Sequence, residues 1–203
     1  RDEDLRADRQ PEFTQIDIEA SFVKQDDIIT LVEGLLASMF KAGQGVDIPL
    51  PFPRMTYADA MDRYGSDKPD TRYGMEITDL ADVFANTGFK IFKGVLERGE
   101  VVRAINCKGF AGITTGQMNR LNELAHEAGL PEAVKQLAYI KIEGGEYKSP
   151  LWKVFSDEEK AALTAQLDMG EGVLIFFVAG PRDMVSNVLG RTRTEVASMM
   201  ELN

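Results

Sequence analysis

Apolar and polar positions alternate along residues 14–23. Ile16, Ile18, Ala20 and Phe22 fall on one side and Gln15, Asp17, Glu19 and Ser21 on the other, the period of a half-buried strand. From residue 28 the period changes. Ile28, Leu31, Val32, Leu35, Leu36 and Met39 recur at helical spacing. Asp26 or Asp27 offers the cap of that helix, and Gly43 and Gly45 stop it. Residues 47–55 are rich in proline and are expected to be extended or irregular. A short helix, Tyr57 to Tyr64, follows Thr56. Gly65-Ser66-Asp67-Lys68-Pro69-Asp70 is then a dense turn signal. A domain junction is expected just after it, near residues 70–76, and the segment itself reads as a structural hinge.

Beyond the junction the pattern predicts a run of short elements. Ile77 to Ala85 reads as a helix. Phe89 to Leu96 and Val101 to Cys107 read as two strands joined at Glu97-Arg98-Gly99-Glu100. Thr114 and Gln117 form a capping box, followed by the stripe Met118, Leu121, Leu124, Ala125 and Ala128 and closed by Gly129. Leu137 to Glu143 is a strand. Ser156 and Glu159 form a second capping box, before a helix to about Leu167. Val173 to Ala179 is a continuous apolar run of central-strand length. Gly180-Pro181 opens a last helix, with proline in its first turn, and Gly190 is a point where that helix is expected to bend or break. The predicted order ββ-α-β-α-β-α describes an α+β domain of two layers, with helices over one face of a sheet.

Composition narrows the chemistry. The net charge is −10. Residues 1–70 carry −7 of it and the remainder −3, so neither part is a basic nucleic-acid module by bulk charge. Any RNA contact has to come from local arginines such as Arg1, Arg6 and Arg9. Cys107 is the only cysteine, which rules out an intrachain disulfide and fits a reducing compartment. No apolar run reaches the ~18 residues of a membrane span. Cys107 and His126 stand alone, so no metal centre is expected, and nothing local supports a Ser-His-Asp or Cys-His arrangement. His126 falls on the polar side of its stripe and reads as a surface residue. Gly170-x-Gly172 precedes a strand instead of following one, which argues against a dinucleotide fingerprint.

The first residues are the most distinctive. Arg1-Asp2-Glu3-Asp4-Leu5-Arg6-Ala7-Asp8-Arg9-Gln10-Pro11-Glu12-Phe13-Thr14-Gln15 packs charges of both signs ahead of a proline and an aromatic. By charge pattern alone such a stretch is either a solvated face or a grip on a charged ligand. In order and length it closely resembles motif 2 of the bacterial-type aspartyl-tRNA synthetases, a class II family. That resemblance implies an antiparallel catalytic sheet and a loop that closes over ATP and the acceptor end of tRNA. By matching motif positions, Arg1 would hold the α-phosphate and the carboxylate of the substrate aspartate, making it the catalytic residue. A planar, permanently charged fork suits that task. Asp2, Glu3 and Gln10 would contact ATP, and Phe13 would stack on adenine. Asp4, Arg6 and Arg9 would meet the tRNA acceptor end.

The resemblance continues through the chain. Arg63-Tyr64-Gly65-Ser66-Asp67-Lys68-Pro69-Asp70 matches the segment ahead of the family's inserted domain. Gln136-Leu137-Ala138-Tyr139-Ile140-Lys141-Ile142, Ser149-Pro150-Leu151-Trp152-Lys153-Val154-Phe155 and Leu189-Gly190-Arg191-Thr192-Arg193 match that insertion more loosely. It is the GAD-type domain also seen in a subunit of the tRNA-dependent amidotransferase. Residues 1–71 therefore read as part of a class II catalytic domain and residues 72–203 as the inserted α+β domain. Lys153 and Arg193 read as solvated surface charges, and Arg191 and Arg193 as helix-end charges. The resemblance implies an aspartate–tRNA ligase using L-aspartate, tRNA and ATP with Mg²⁺, cytoplasmic, without membrane attachment, and homodimeric as the whole protein. The chain then reads as an internal piece of that enzyme, inactive alone. The alternative from another class is a non-catalytic RNA- or protein-binding module formed by residues 72–203.

Overall fold

A computed structural model of the protein describes residues 10–202. The chain divides after Arg54 into two compact units. The first contains one regular element among its described residues, helix α1, Gln25–Gln44. The backbone N–H of Lys24 donates to Asp27 Oδ2 at 2.9 Å, so Asp27 steadies the helix start from its first turn while Lys24 occupies the cap position. At the other end Gly45, with φ at +72°, donates to the carbonyl of Lys41 at 3.0 Å. Glycine adopts this left-handed turn without the steric cost other residues meet.

Residues 14–23 do not form the expected strand. The alternation is present, but a strand also needs a neighbour to take its N–H and C=O groups. No other strand exists among the described residues of this unit. Ile16, Ile18 and Phe22 are exposed. The apolar side of α1 is little better covered. Glu33 is its only buried residue, accepting from the Phe52 backbone N–H at 3.2 Å.

The second unit begins with helix α2, Tyr57–Tyr64, capped by Thr56 through a 3.1 Å bond from the Asp59 N–H. There follow β1 (Thr78–Asp79), α3 (Lys90–Glu97), β2 (Val101–Lys108), α4 (Thr115–Glu127), β3 (Ala138–Glu143), β4 (Glu146–Lys148), a 3₁₀ turn at Leu151–Lys153, α5 (Asp157–Gln166), β5 (Val173–Gly180) and α6 (Arg182–Met199). The five strands form one antiparallel sheet in the order β1-β2-β5-β3-β4. The central pair runs in register from Val101 opposite Gly180 to Lys108 opposite Val173. Both expected capping boxes are made: Thr114 N–H reaches Gln117 at 2.9 Å and Ser156 N–H reaches Glu159 at 2.7 Å.

Four expectations for this unit change. Residues 77–85 are strand β1 followed by turns, because Asp79 accepts from the Ala81 N–H at 3.0 Å and diverts the backbone from a helix. Residues 89–96, expected as a strand, are the cap residue Phe89 and most of helix α3. Their inward positions Phe89, Phe92, Val95 and Leu96 have helical spacing, while Ile91 is exposed. Helix α6 runs unbroken through Gly190. Finally, the sheet carries helices on both faces, not on one. Ile105, Cys107, Leu174, Phe176 and Val178 pack with α4 and α6. Val102, Ala104, Ile140, Ile175 and Phe177 pack with α3, α5, Phe84 and Phe155. The cause is visible in β2 and β5, which are apolar at successive positions and so bury both sides. Each fully buried Leu, Ile or Phe contributes about 1.5–3 kcal/mol relative to exposure. Among the described residues no helix is long and apolar enough to cross a membrane.

Candidate functional site

Arg1, Asp2, Glu3, Asp4, Arg6 and Arg9 lie outside the described residues. Gln10 and Phe13 lie within them, both exposed on the irregular stretch before α1. Two residues beyond Phe13, Gln15 Nε2 donates to Asp17 Oδ1 at 2.7 Å. Sequence reading placed both residues on one polar face but gave them no role.

The second unit holds the better-defined polar architecture, where α2 and the connector after it meet α6. Arg103, on β2, is buried at 2% exposure and reaches three groups. Its Nε donates to Asp79 Oδ2 at 3.1 Å, its Nη2 to Asp62 Oδ1 at 3.1 Å and its Nη1 to Ser186 Oγ at 3.3 Å. Arg182 Nη1 reaches the same Asp62 oxygen at 2.6 Å. Burial acts to raise the Asp62 carboxyl, but the bonds from Arg182 and Arg103 outweigh it and hold the group below its ordinary value. Arg63 makes a paired contact with Glu76 at 2.9 and 2.7 Å, and that contact lowers the Glu76 carboxyl. Both ends of the segment Asp62–Asp79 are thereby tied to charged partners.

Arg193 corrects a sequence expectation. It is neither a surface charge nor a helix-end charge but a 2% exposed residue inside α6. Its guanidinium carbon lies 4.8 Å from the centre of the Tyr64 ring and 4.3 Å from that of Tyr73. Nε and Nη2 donate to the Gly74 carbonyl at 2.9 and 2.7 Å, and Nη2 donates to the Asp70 carbonyl at 2.5 Å. The connector is thereby bonded to α6 at Asp70 and Gly74. Arg191 and Lys153 are exposed. Helical spacing alone separates the two arginines: Arg193 continues the stripe of Ser186 and Gly190, and Arg191 does not.

Beside the connector lies an open polar groove of about 650 Å³. It is lined by Tyr57 and Met61 of α2, the Gly65–Asp67 turn, and residues of α4 and α6 that include Arg120, Glu127, Arg191 and Glu195. Charges of both signs face it. His126 is half-buried, with Nδ1 3.1 Å from the carbonyl of Leu130. A carbonyl can only accept, so that nitrogen carries the proton. Cys107 is fully buried, and burial pushes its thiol up to about 12. No group of three or more His, Cys, Asp or Glu side chains among the described residues is arranged to hold a metal ion.

Comparison with known proteins bears on the whole chain. The family described as class II tRNA synthetases (D, K and N) matches residues 1–189. An aspartate–tRNA(Asp/Asn) ligase of Opitutus terrae is 49% identical over 201 residues, covering 99% of this chain and 33% of that protein. An aspartate–tRNA ligase of Geobacillus kaustophilus is 47% identical over 203 residues, covering 100% of this chain and 34% of that protein. The aspartate–tRNA(Asp/Asn) ligase of Symbiobacterium thermophilum has the same identity and coverage. The chain thus spans about a third of the length of the relatives it matches.

Proposed function

Since this chain belongs to the class II tRNA synthetases of the D, K and N group, we propose that it is part of an aspartate–tRNA ligase. The observation that carries the reading is identity of 47–49% over essentially the whole chain to ligases of that name. In the proposed reaction a carboxylate oxygen of L-aspartate attacks the α-phosphorus of ATP. The bond to pyrophosphate breaks and aspartyl-adenylate forms. A hydroxyl of the terminal ribose of tRNA then attacks the activated carbonyl, and AMP leaves.

Residues of this chain are assigned to those steps. Arg1 holds the α-phosphate and the aspartate carboxylate. Its charge offsets the charge that builds on the phosphoryl oxygens in the transition state. Asp2, Glu3, Gln10 and Phe13 bind ATP, which enters as its Mg²⁺ complex. Asp4, Arg6 and Arg9 contact the tRNA acceptor end. In this reading residues 1–71 belong to the catalytic domain and residues 72–203 to an inserted GAD-type domain. The family boundary and the packing boundary then differ, because α2 packs on α6 of the second unit. The bare apolar faces of residues 16–22 and of α1 support a larger catalytic domain around them. The whole enzyme is proposed to be a cytoplasmic homodimer.

The test is aspartate-dependent exchange of pyrophosphate into ATP by the longer ligase, followed by charging of aspartate tRNA. Exchange with another amino acid in place of aspartate would refute the reading.

A second reading has its own support: the second unit has a five-stranded sheet and two cores of its own. In that reading residues 72–203, the greater part of this unit, form an RNA- or protein-binding module without catalytic function. Salt-dependent tRNA binding by residues 55–203 alone would favour it.

A further inference from the structure

We propose that Arg193 is a positioning residue: a buried cationic clasp that holds the connector Tyr64–Gly74 on α6 and so pre-forms the Gly65–Asp67 side of the adjoining groove. The proposal goes beyond the ligase reading and does not depend on it.

A guanidinium is costly to bury, and carboxylate partners normally offset that cost. Arg193 bonds directly to carbonyl oxygens and lies over aromatic rings, with the carboxylates of Asp70 and Glu76 near enough to favour its charge without bonding it. All of these contacts come from one short stretch of chain. Its Nη2 bonds the carbonyls of both Asp70 and Gly74, at 2.5 and 2.7 Å. Its Nη1 reaches Tyr73 Oη at 3.3 Å, and its guanidinium carbon lies over the rings of both Tyr64 and Tyr73. A planar fork of donors can do this, whereas the ammonium of lysine cannot span the two carbonyls and stack at once.

The other end of the connector is held by the same face of α6. Gly65 lies against the backbone of Gly190, one helical turn from Arg193. One contact depends on having no side chain and the other on having the longest one. With both ends fixed, the turn between them loses the freedom that loops of its composition normally keep. Ser66 and Asp67, which line the groove, are then presented without any core of their own.

Amide hydrogen exchange of the 203-residue chain, resolved by peptide, tests this. Arg193→Lys keeps the charge and loses the fork, and Arg193→Ala leaves a space beside the two rings. Both should accelerate exchange in residues 65–77, where the amides of Gly65, Lys68, Arg72 and Ile77 donate hydrogen bonds, by about tenfold or more while leaving β2 and β5 unchanged. Millimolar methylguanidinium should restore protection to Arg193→Ala saturably, and methylammonium at equal ionic strength should not. A side chain that merely fills the core would show no such preference between the two cations. Unchanged exchange in both variants, acceleration spread equally to β2 and β5, or equal rescue by either cation would overturn the proposal. Should Arg193→Ala fail to fold, Tyr73→Ala removes one ring and one hydroxyl from a half-buried position. It should accelerate exchange in the same segment alone, and an unchanged profile would count against the clasp.

Discussion

Gly65 and Gly190 meet backbone to backbone. A Cβ on Gly190 would stand 2.5 Å from the carbonyl oxygen of Gly65 and 2.9 Å from its Cα. A Cβ on Gly65 would stand 2.0 Å from the carbonyl oxygen of Ser186. Neither atom could move aside without moving a helix. The closeness of α2 to α6, and hence the place of the whole connector, rests on these two missing side chains.

Gly190→Ala should therefore destabilise the second unit by about 1–3 kcal/mol, as overpacking does, although alanine is the better helix former by about 1 kcal/mol. Gly116→Ala in α4 is the control, since a Cβ there meets nothing within 4 Å. Urea unfolding followed by far-ultraviolet circular dichroism should show a lower midpoint for the first variant and an equal or higher one for the second.

Acid should loosen the connector. The Glu76 carboxyl is held down by Arg63, Asp70 is held at about 2 by Arg72, and Asp62 is held down against burial by Arg182 and Arg103. A carboxyl depressed on folding stabilises the fold at pH above its unfolded value of about 4. That contribution is lost as pH falls through the folded value. The urea midpoint should be level near neutrality and fall between about pH 4 and pH 2. Glu76→Gln should flatten part of that fall, and an identical acid limb in the variant would contradict the assignment.

Cys107 should resist alkylation in the native chain. Burial keeps its thiol protonated up to about 12, and the thiolate is the reactive form. Iodoacetamide should label it at the rate of unfolding, accelerating in urea. Because the folded value is raised, the sign is opposite to that of the carboxylates. The contribution is intact below the unfolded thiol's ordinary value of about 8.5 and is lost as pH climbs toward the folded one. Fast labelling at neutral pH without denaturant would show that the site opens locally.

A polypeptide of residues 1–203 alone should catalyse no aspartate-dependent pyrophosphate exchange. Among the described residues, 14–23 form no strand and α1 buries only Glu33, so the antiparallel catalytic sheet that the reaction needs is not assembled there. Residues 12–23 should exchange their amide hydrogens rapidly while β2 and β5 are protected. Robust exchange activity that survives repurification would show that this piece is a sufficient catalyst.

Within the longer ligase, Arg1→Ala should slow adenylate formation by about 100-fold, equivalent to roughly 3 kcal/mol of barrier. Arg1→Lys should recover little, because a point charge does not reproduce a bidentate fork. Exchange within threefold of the unaltered enzyme would remove Arg1 from its assigned role.

Much of this protein follows from local sequence. Capping boxes at Thr114 and Ser156 placed α4 and α5, and the apolar run at Val173 placed β5, because each depends on residues a few positions apart. The motif at residues 1–15 marked the family on the same local basis, through the order of its residues. What depended on distant partners was not legible. The alternation of residues 14–23 describes a strand that only a neighbouring strand could make. The second helical layer over the sheet needed the knowledge that β2 and β5 pair and present apolar side chains both ways. Arg193 looks like any helix arginine until Tyr64, Tyr73 and two carbonyls from over a hundred residues earlier close around it. Gly190 looks like a helix breaker until Gly65 occupies the space its side chain would have filled. Propensity and capping act within a few residues along the chain, whereas burial of charge and backbone contact are decided by whatever tertiary packing brings alongside.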